Sequence, residues 1–157
     1  IRKFARIAVT TIFVMWKRKL IGDKLIGDKL IGDKVIGDMM EYNDIFRERT
    51  KKLALEIVRE MAKVKFSDEV SVIRKQIIRS ATSVAANYRA VCRARSERER
   101  YAKMCIVVEE ADETAFWLEL IEELEIIPIA KVNEFKNETE EILKVMSSYK
   151  KKLSKTL

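Results

Sequence analysis

The sequence predicts an all-α protein built as a helical bundle. Chain breakers are scarce: the 157 residues hold four Gly and one Pro, and from Glu41 onward there is no Gly and only Pro128 to punctuate the chain. Strands joined by tight turns need more such residues. Apolar residues recur instead at spacings of three and four, and 48% hydrophobic with 36% charged residues suits one helical domain with a real core.

Residues 1–19 place basic flanks around the apolar run Ile7–Trp16. That run is about ten residues where a bilayer needs roughly 20, so no transmembrane helix is expected. The basic start and short apolar centre share the outline of a secretory signal, but no small-residue cleavage site follows. LIGDK then occurs three times over residues 20–34, followed by VIGDM. A five-residue period fits neither helix nor strand and is too short for a solenoid unit. Such near-perfect copies point to a tandem DNA repeat read in frame. The natural start is expected at Met39 or Met40, with residues 1–40 a disordered or upstream extension and residues 41–157 the bundle domain.

A first helix is expected over about Asp44–Lys63, capped by Asn43 or Asp44. Phe46, Leu53, Ile57 and Met61, with Ala54 and Val58 beside them, form one apolar stripe. Ser67-Asp68-Glu69 signals a new start, and a second helix over about Asp68–Ala94 would run roughly 40 Å at 1.5 Å per residue. Its apolar face comprises Val70, Ile73, Ile77, Ala81, Val84, Ala85, Tyr88, Val91 and Cys92. Gln76, Ser80, Ser83 and Asn87 repeat at four, three and four, lining small and amide side chains along one stripe. Lys75, Arg79, Arg89 and Arg93 follow a neighbouring line, either a solvated face or partners for carboxylates of another helix.

Ser96-Glu97-Arg98-Glu99 fits a capping box and opens a third helix, to about Glu125. This helix lacks a clean polar side. Tyr101, Val108 and Ala115 fall on one line, Ile106, Leu120 and Leu124 on another, and Val107, Leu118 and Ile121 on a third. A helix apolar on several faces requires several neighbours, and the excess points to self-association. The same helix carries eight acids from Glu109 to Glu125 with no basic residue among them. An unpartnered buried carboxylate is costly, so Glu109 and Glu113 are expected to pair with Arg79 and Arg89 at a packed surface. Ile126-Ile127-Pro128 breaks the helix. A fourth, over about Lys131–Leu153, shows a heptad seam of Val132, Phe135, Thr139, Ile142, Met146, Tyr149 and Leu153. Lys150, Lys151, Lys152 and Lys155 follow, where positive charge complements a helix C-terminus.

The net charge of +7 is concentrated at one end of the sequence. Residues 1–40 hold nine Lys/Arg and four Asp, whereas residues 41–157 hold 23 basic and 21 acidic residues. There is no His, and Cys92 and Cys105 form no CxxC pair. Zinc patterns, a disulfide framework and Ser-His or Cys-His catalysis are therefore not expected. No Gly loop is available to cradle phosphates, and a magnesium site among Glu109, Glu110 and Glu113 is outweighed by ion pairing. Neither an enzyme nor a bound cofactor or metal is expected, both cysteines are expected as small core residues, and a reducing cytoplasm is the expected setting.

One local concentration of charge stands out. Arg89, Arg93, Arg95, Arg98, Arg100 and Lys103 face only Glu97 and Glu99 between them, which makes these six the candidate nucleic-acid contacts; the bland alternative is ordinary surface. Gln76, Arg79, Ser80, Ser83, Asn87, Glu109 and Glu113 form a candidate polar network between helices or subunits.

The segments Gln76 with Arg79-Ser80, Thr82-Ser83-Val84, Ala86-Asn87-Tyr88-Arg89, Ser96, and Glu109-Glu110-Ala111-Asp112-Glu113-Thr114 running into Trp117-Leu118 carry a resemblance over about Tyr42–Ser148. The chain resembles the four-helix bundle proteins encoded in bacterial ribosomal RNA intervening sequences, and is similar to the accessory proteins of diversity-generating retroelements. Where relatives often carry Gly in a Ser-Val-Gly-Ala-Asn run, this chain has Ala85, and Asn87-Tyr88-Arg89 stands where some have Asn-Ile-Ala-Glu-Gly. The resemblance implies an up-down-up-down bundle in a ring-like homo-oligomer, commonly a pentamer, in a bacterial cytoplasm, with no catalytic residues. It implies an RNA-binding accessory factor or, alternatively, a scaffold that docks a nucleic-acid enzyme such as a reverse transcriptase.

Overall fold

Four helices account for nearly all of the described chain: α1 Asp28–Met61, α2 Asp68–Cys92, α3 Glu97–Glu123 and α4 Ile129–Leu153. The computed structural model describes residues 28–157, with side chains from Tyr42 onward, and contains no strand among them. The apolar run Ile7–Trp16 and the repeat up to residue 27 lie outside the described residues. Met40–Leu157 forms a compact unit by itself.

The helix expected from Asp44 is already formed at Asp28, the first described residue, so Asn43 and Asp44 lie inside it instead of capping it. The backbone from residue 28 to residue 40 is helical. Gly32 and Gly37 oppose helix here by about 1 kcal/mol each, but lengthening an existing helix adds a hydrogen bond per residue without a second nucleation.

The turns are built by local chemistry. Ser67 caps α2, its Oγ accepting from the Val70 amide at 3.2 Å, and Arg74 reaches back to donate to the Val64 carbonyl at 2.5 Å. The end of α3 closes with Glu125 at φ 49°. Ile126 N–H donates to the Ile121 carbonyl at 3.1 Å and Glu125 N–H to that of Glu122 at 3.0 Å, the paired bonds of a Schellman ending. Glycine would relieve the Cβ crowding that glutamate endures in this left-handed conformation. Pro128 then precedes α4, with no side-chain capping bond.

Cross-helix contacts establish antiparallel neighbours all the way round. The Tyr88 hydroxyl donates to Asn43 Oδ1 at 3.4 Å between α2 and α1, and Lys136 to Glu122 at 2.5 Å between α4 and α3. Arg49 of α1 bonds Glu138 of α4 through Nε at 2.8 Å and Nη2 at 2.9 Å, and Arg79 of α2 bonds Glu113 of α3. The result is an up-down-up-down four-helix bundle.

Its core follows the apolar stripes. Phe46, Leu53, Ala54, Ile57 and Met61 are buried from α1, and Ile73, Ile77, Ala81, Val84, Tyr88 and Val91 from α2. The α4 seam is buried at every position except Tyr149, which is half-buried. In α3 the inward row is Met104, Val107, Ala111, Thr114, Leu118 and Ile121, so one of the three expected lines is fully buried within the chain. Tyr101, Ile106, Val108, Ala115 and Leu120 are half-buried, and Leu124 is 59% exposed. Both cysteines are free and half-buried.

The buried polar side chains are Thr50, Ser80, Thr114 and Thr139, one from each helix and each near its middle. Thr114 Oγ1 lies 2.9 Å from Ser80 Oγ, while Thr50 bonds its own helix at the Phe46 carbonyl, 2.8 Å away. Thr50, Ser80 and Thr114 thus satisfy one another or the backbone, whereas Thr139 Oγ1 is buried without a partner.

Candidate nucleic-acid interface

The turn between α2 and α3 is short and rigidly closed. Arg93 ends α2, its N–H donating to the Ala90 and Val91 carbonyls. Ser96 caps α3 with Oγ accepting from Glu99 N–H at 3.1 Å. Glu99 reaches back, as a capping box requires, but its carboxylate accepts from the amide of Arg95 at 2.9 Å, one residue before the cap. Both local acids are thereby committed, because Glu97 pairs with Arg100.

The six candidate cations divide accordingly. Arg89, Arg93, Arg95 and Arg98 are exposed, and Arg100 and Lys103 half-buried. Arg100 is engaged by Glu97. Among the described residues, the side chains of the other five have no carboxylate within ion-pair distance.

The bundle topology brings two further elements to this end. The last turns of α4 arrive there, with Leu153 buried in the core and Tyr149 close enough to Arg100, Glu97 and Cys92 for their charges to bear on its ionisation. Burial pushes the Tyr149 phenol up, and the nearby Arg100 acts in the opposite sense. Lys151 and Lys155 are exposed and Lys150 half-buried. From α1 comes Arg47, paired with Asp44 at 2.9 Å. Sequence periodicity assigns the α4 lysines to the helix dipole alone. The signal that places them beside the arginines is topological, since the fourth helix of such a bundle ends where the second gives way to the third.

The candidate polar network splits into a connected part and a solvated part. Gln76 Oε1 accepts from Arg79 Nε at 3.0 Å, and Arg79 also reaches Glu113 and, at 3.5 Å, Glu110. Trp117 Nε1–H donates to Glu113 at 3.0 Å, a partner not evident from the helical lines. That bond first, and Arg79 second, hold the Glu113 carboxyl below its ordinary range. Ser80 meets Thr114 in the core, and Asn87 donates to the Ser83 carbonyl at 3.0 Å and hydroxyl at 3.1 Å.

Glu109 and Arg89, in contrast, are exposed and do not pair with each other. The antiparallel register fixed by Arg79–Glu113 and Ser80–Thr114 sets Arg89 level with Lys103 and Glu109 level with Ser83. Among the described residues no group of three or more His, Cys, Asp or Glu side chains is placed to hold a metal ion. Likewise, no described helix is long and apolar enough to cross a membrane.

Comparison with known proteins agrees with this architecture. The family model described as 23S rRNA-intervening sequence protein matches residues 43–148. The crystal structure of a protein of unknown function from the S23 ribosomal protein family of Bacteroides thetaiotaomicron VPI-5482 is 32% identical, with a TM-score of 0.62, and the match covers 69% of this chain and 97% of that one. No curated protein sequence matches the chain. With the matched segment running from α1 into α4 and touching all four helices, the chain belongs to the 23S rRNA-intervening sequence protein family.

Proposed function

We propose that this protein is a non-enzymatic accessory factor that binds structured RNA through the α2–α3 end of its bundle. It acts as a ring-like homo-oligomer, a pentamer, in a bacterial cytoplasm. One observation carries the reading: Arg89, Arg93, Arg95 and Arg98 are exposed while the acids of the same turn are bound elsewhere, which leaves the arginines available to phosphates. A ring repeats this patch around one rim, and binding strengthens with each further phosphate neutralised. Support for assembly comes from the outward rows of α3, where Ile106, Ala115 and Leu120 remain half-buried and Phe116 is 48% exposed. The family's name also ties its members to ribosomal RNA.

A gel-shift titration on structured RNA tests the binding, comparing the full chain with a triple variant carrying Arg93→Glu, Arg95→Glu and Arg98→Glu. The expected result is loss of the shift in the variant, and equal binding by both proteins would refute the site. Light scattering after chromatography tests the ring, with a clean monomer as the contradicting result.

The second reading is a protein-interaction scaffold that docks a nucleic-acid enzyme such as a reverse transcriptase. It is favoured by the exposed apolar side chains of the opposite half of the bundle, Phe66, Val72, Phe116, Leu124 and Ile129. A partner retained after nuclease treatment would support it over RNA binding.

A further inference from the structure

The C-terminal part of α4 holds charge that the α2–α3 turn does not need. From Ile142 to Leu157 there are five lysines and no Asp or Glu. Lys144 pairs with Glu140 one turn earlier at 3.2 Å. Lys150, Lys151 and Lys155 have no carboxylate within ion-pair distance among the described residues. The partial negative charge of a helix C-terminus is about half a unit and acts only within the last turn, so it accounts for less than one of these cations.

Their position is fixed by packing. Leu153 is 5% exposed and Met146 fully buried, so the helix carrying the lysines is docked to its end. At the same level α2 contributes buried Val91 and α3 buried Met104, and Tyr149 lies within electrostatic reach of Arg100. The lysines therefore share one end of the bundle with the arginines of the turn.

The aromatic side chains at this end narrow the ligand class. Tyr88 is buried in the core and Tyr42, Tyr101 and Tyr149 are packed against it, while the exposed aromatic rings among the described residues, Phe66 and Phe116, belong to the other half of the bundle. Single-stranded RNA is held largely by stacking its bases on exposed rings. Among the described residues this end presents a cationic surface without such rings, which suits the phosphates of an A-form duplex, recognised by shape and backbone.

We propose that Lys150, Lys151 and Lys155 form a second bank of phosphate contacts beside the bank of Arg93, Arg95 and Arg98, so that the backbone of a double-stranded RNA stem crosses the end of the bundle. The inference rests on the reading of this end as RNA-binding and adds to it both the α4 lysines and the preference for duplex.

The test measures binding of the full-length protein to an RNA hairpin by fluorescence anisotropy between 50 and 200 mM salt. Two triple variants are compared with wild type: Lys150→Gln with Lys151→Gln and Lys155→Gln, and Arg93→Gln with Arg95→Gln and Arg98→Gln. Glutamine keeps helix propensity close to that of lysine, and circular dichroism confirms the fold. Each phosphate that a variant no longer neutralises makes the slope of log K against log salt shallower by about 0.9. The lysine variant is expected to leave two or three phosphates without a cation, which flattens the slope by roughly 2 to 3, and to bind at least tenfold more weakly. It should bind hairpins of unrelated stem sequence equally.

Wild-type affinity and slope in the lysine variant, with weakened binding in the arginine variant, would overturn the second bank and leave the turn as the site. Tighter binding of an unstructured single strand than of the hairpin would overturn the duplex assignment. No binding by wild type at 50 mM salt would remove the RNA-binding reading itself.

Discussion

Arg49 clasps Glu138 across the α1–α4 boundary with two parallel hydrogen bonds of 2.8 and 2.9 Å, and the residue after each, Thr50 and Thr139, turns into the core. The same arrangement recurs on the other side of the bundle, where Arg79 pairs with Glu113 and Ser80 and Thr114 follow them inward. Each helix thus carries one charged residue for the seam and one small hydroxyl for the interior, at matching height. In this belt the ion pairs penalise sliding of one helix along another at both seams, and between α2 and α3 the Ser80–Thr114 bond adds to the penalty.

The α1–α4 clasp is the more protected of the two pairs, with the Arg49 side chain 20% exposed and its guanidinium 4.9 Å from the Phe46 ring centroid. Burial disfavours the Arg49 charge, but the bonds from Glu138 outweigh it. Replacing one partner leaves a half-desolvated cation. Glu138→Gln is expected to destabilise the fold by about 2 kcal/mol, measured by urea unfolding. A change within experimental error would show the clasp to be an ordinary surface pair.

The hydroxyl belt gives predictions of opposite sign at two threonines. Thr139 Oγ1 is buried without a hydrogen-bond partner, whereas Thr114 Oγ1 meets both Ser80 Oγ and, at 2.7 Å, the Glu110 carbonyl. Exchanging an unpaired hydroxyl for a methyl of similar shape removes a desolvation penalty. Thr139→Val is therefore expected to raise stability by about 1 kcal/mol and Thr114→Val to lower it by about 1 kcal/mol. Thermal unfolding of the two variants decides, and equal effects of one sign would contradict the belt.

Glu113 should make stability fall in acid. Its carboxyl lies below the ordinary value of 4.5 because Trp117 and then Arg79 bond the ionised form. A depressed folded value means that the stabilisation is complete above the unfolded value and is lost as pH falls through the folded one. The gap in unfolding midpoint between wild type and Glu113→Gln is thus expected at pH 7 and should close as pH drops below about 4.5. A gap unchanged at pH 3 would assign the effect to packing instead.

Much of this fold is legible along the chain. The α4 seam and the α2 apolar face follow from spacing alone, since burial in a bundle repeats with the helix period, and Ser96 announces its cap by local chemistry. The start of α1 is not legible, because Asn43 and Asp44 have the chemistry of caps yet lie in uninterrupted helix. Arg49–Glu138 joins residues 89 positions apart, and periodicity specifies which face a residue occupies without naming the residue opposite. The α4 lysines illustrate the same limit: their charge is evident in the sequence, but their place at the same end of the bundle as Arg93 and Arg95 follows only from the topology.

The salt dependence of RNA binding by the intact protein tests the central claim most directly. If the exposed arginines of the α2–α3 end hold phosphates, log K for a structured RNA should fall linearly with log salt, with a slope of about −4 or steeper for four or more neutralised phosphates. Binding that is absent at 50 mM salt, or present with a slope near zero, would contradict the account.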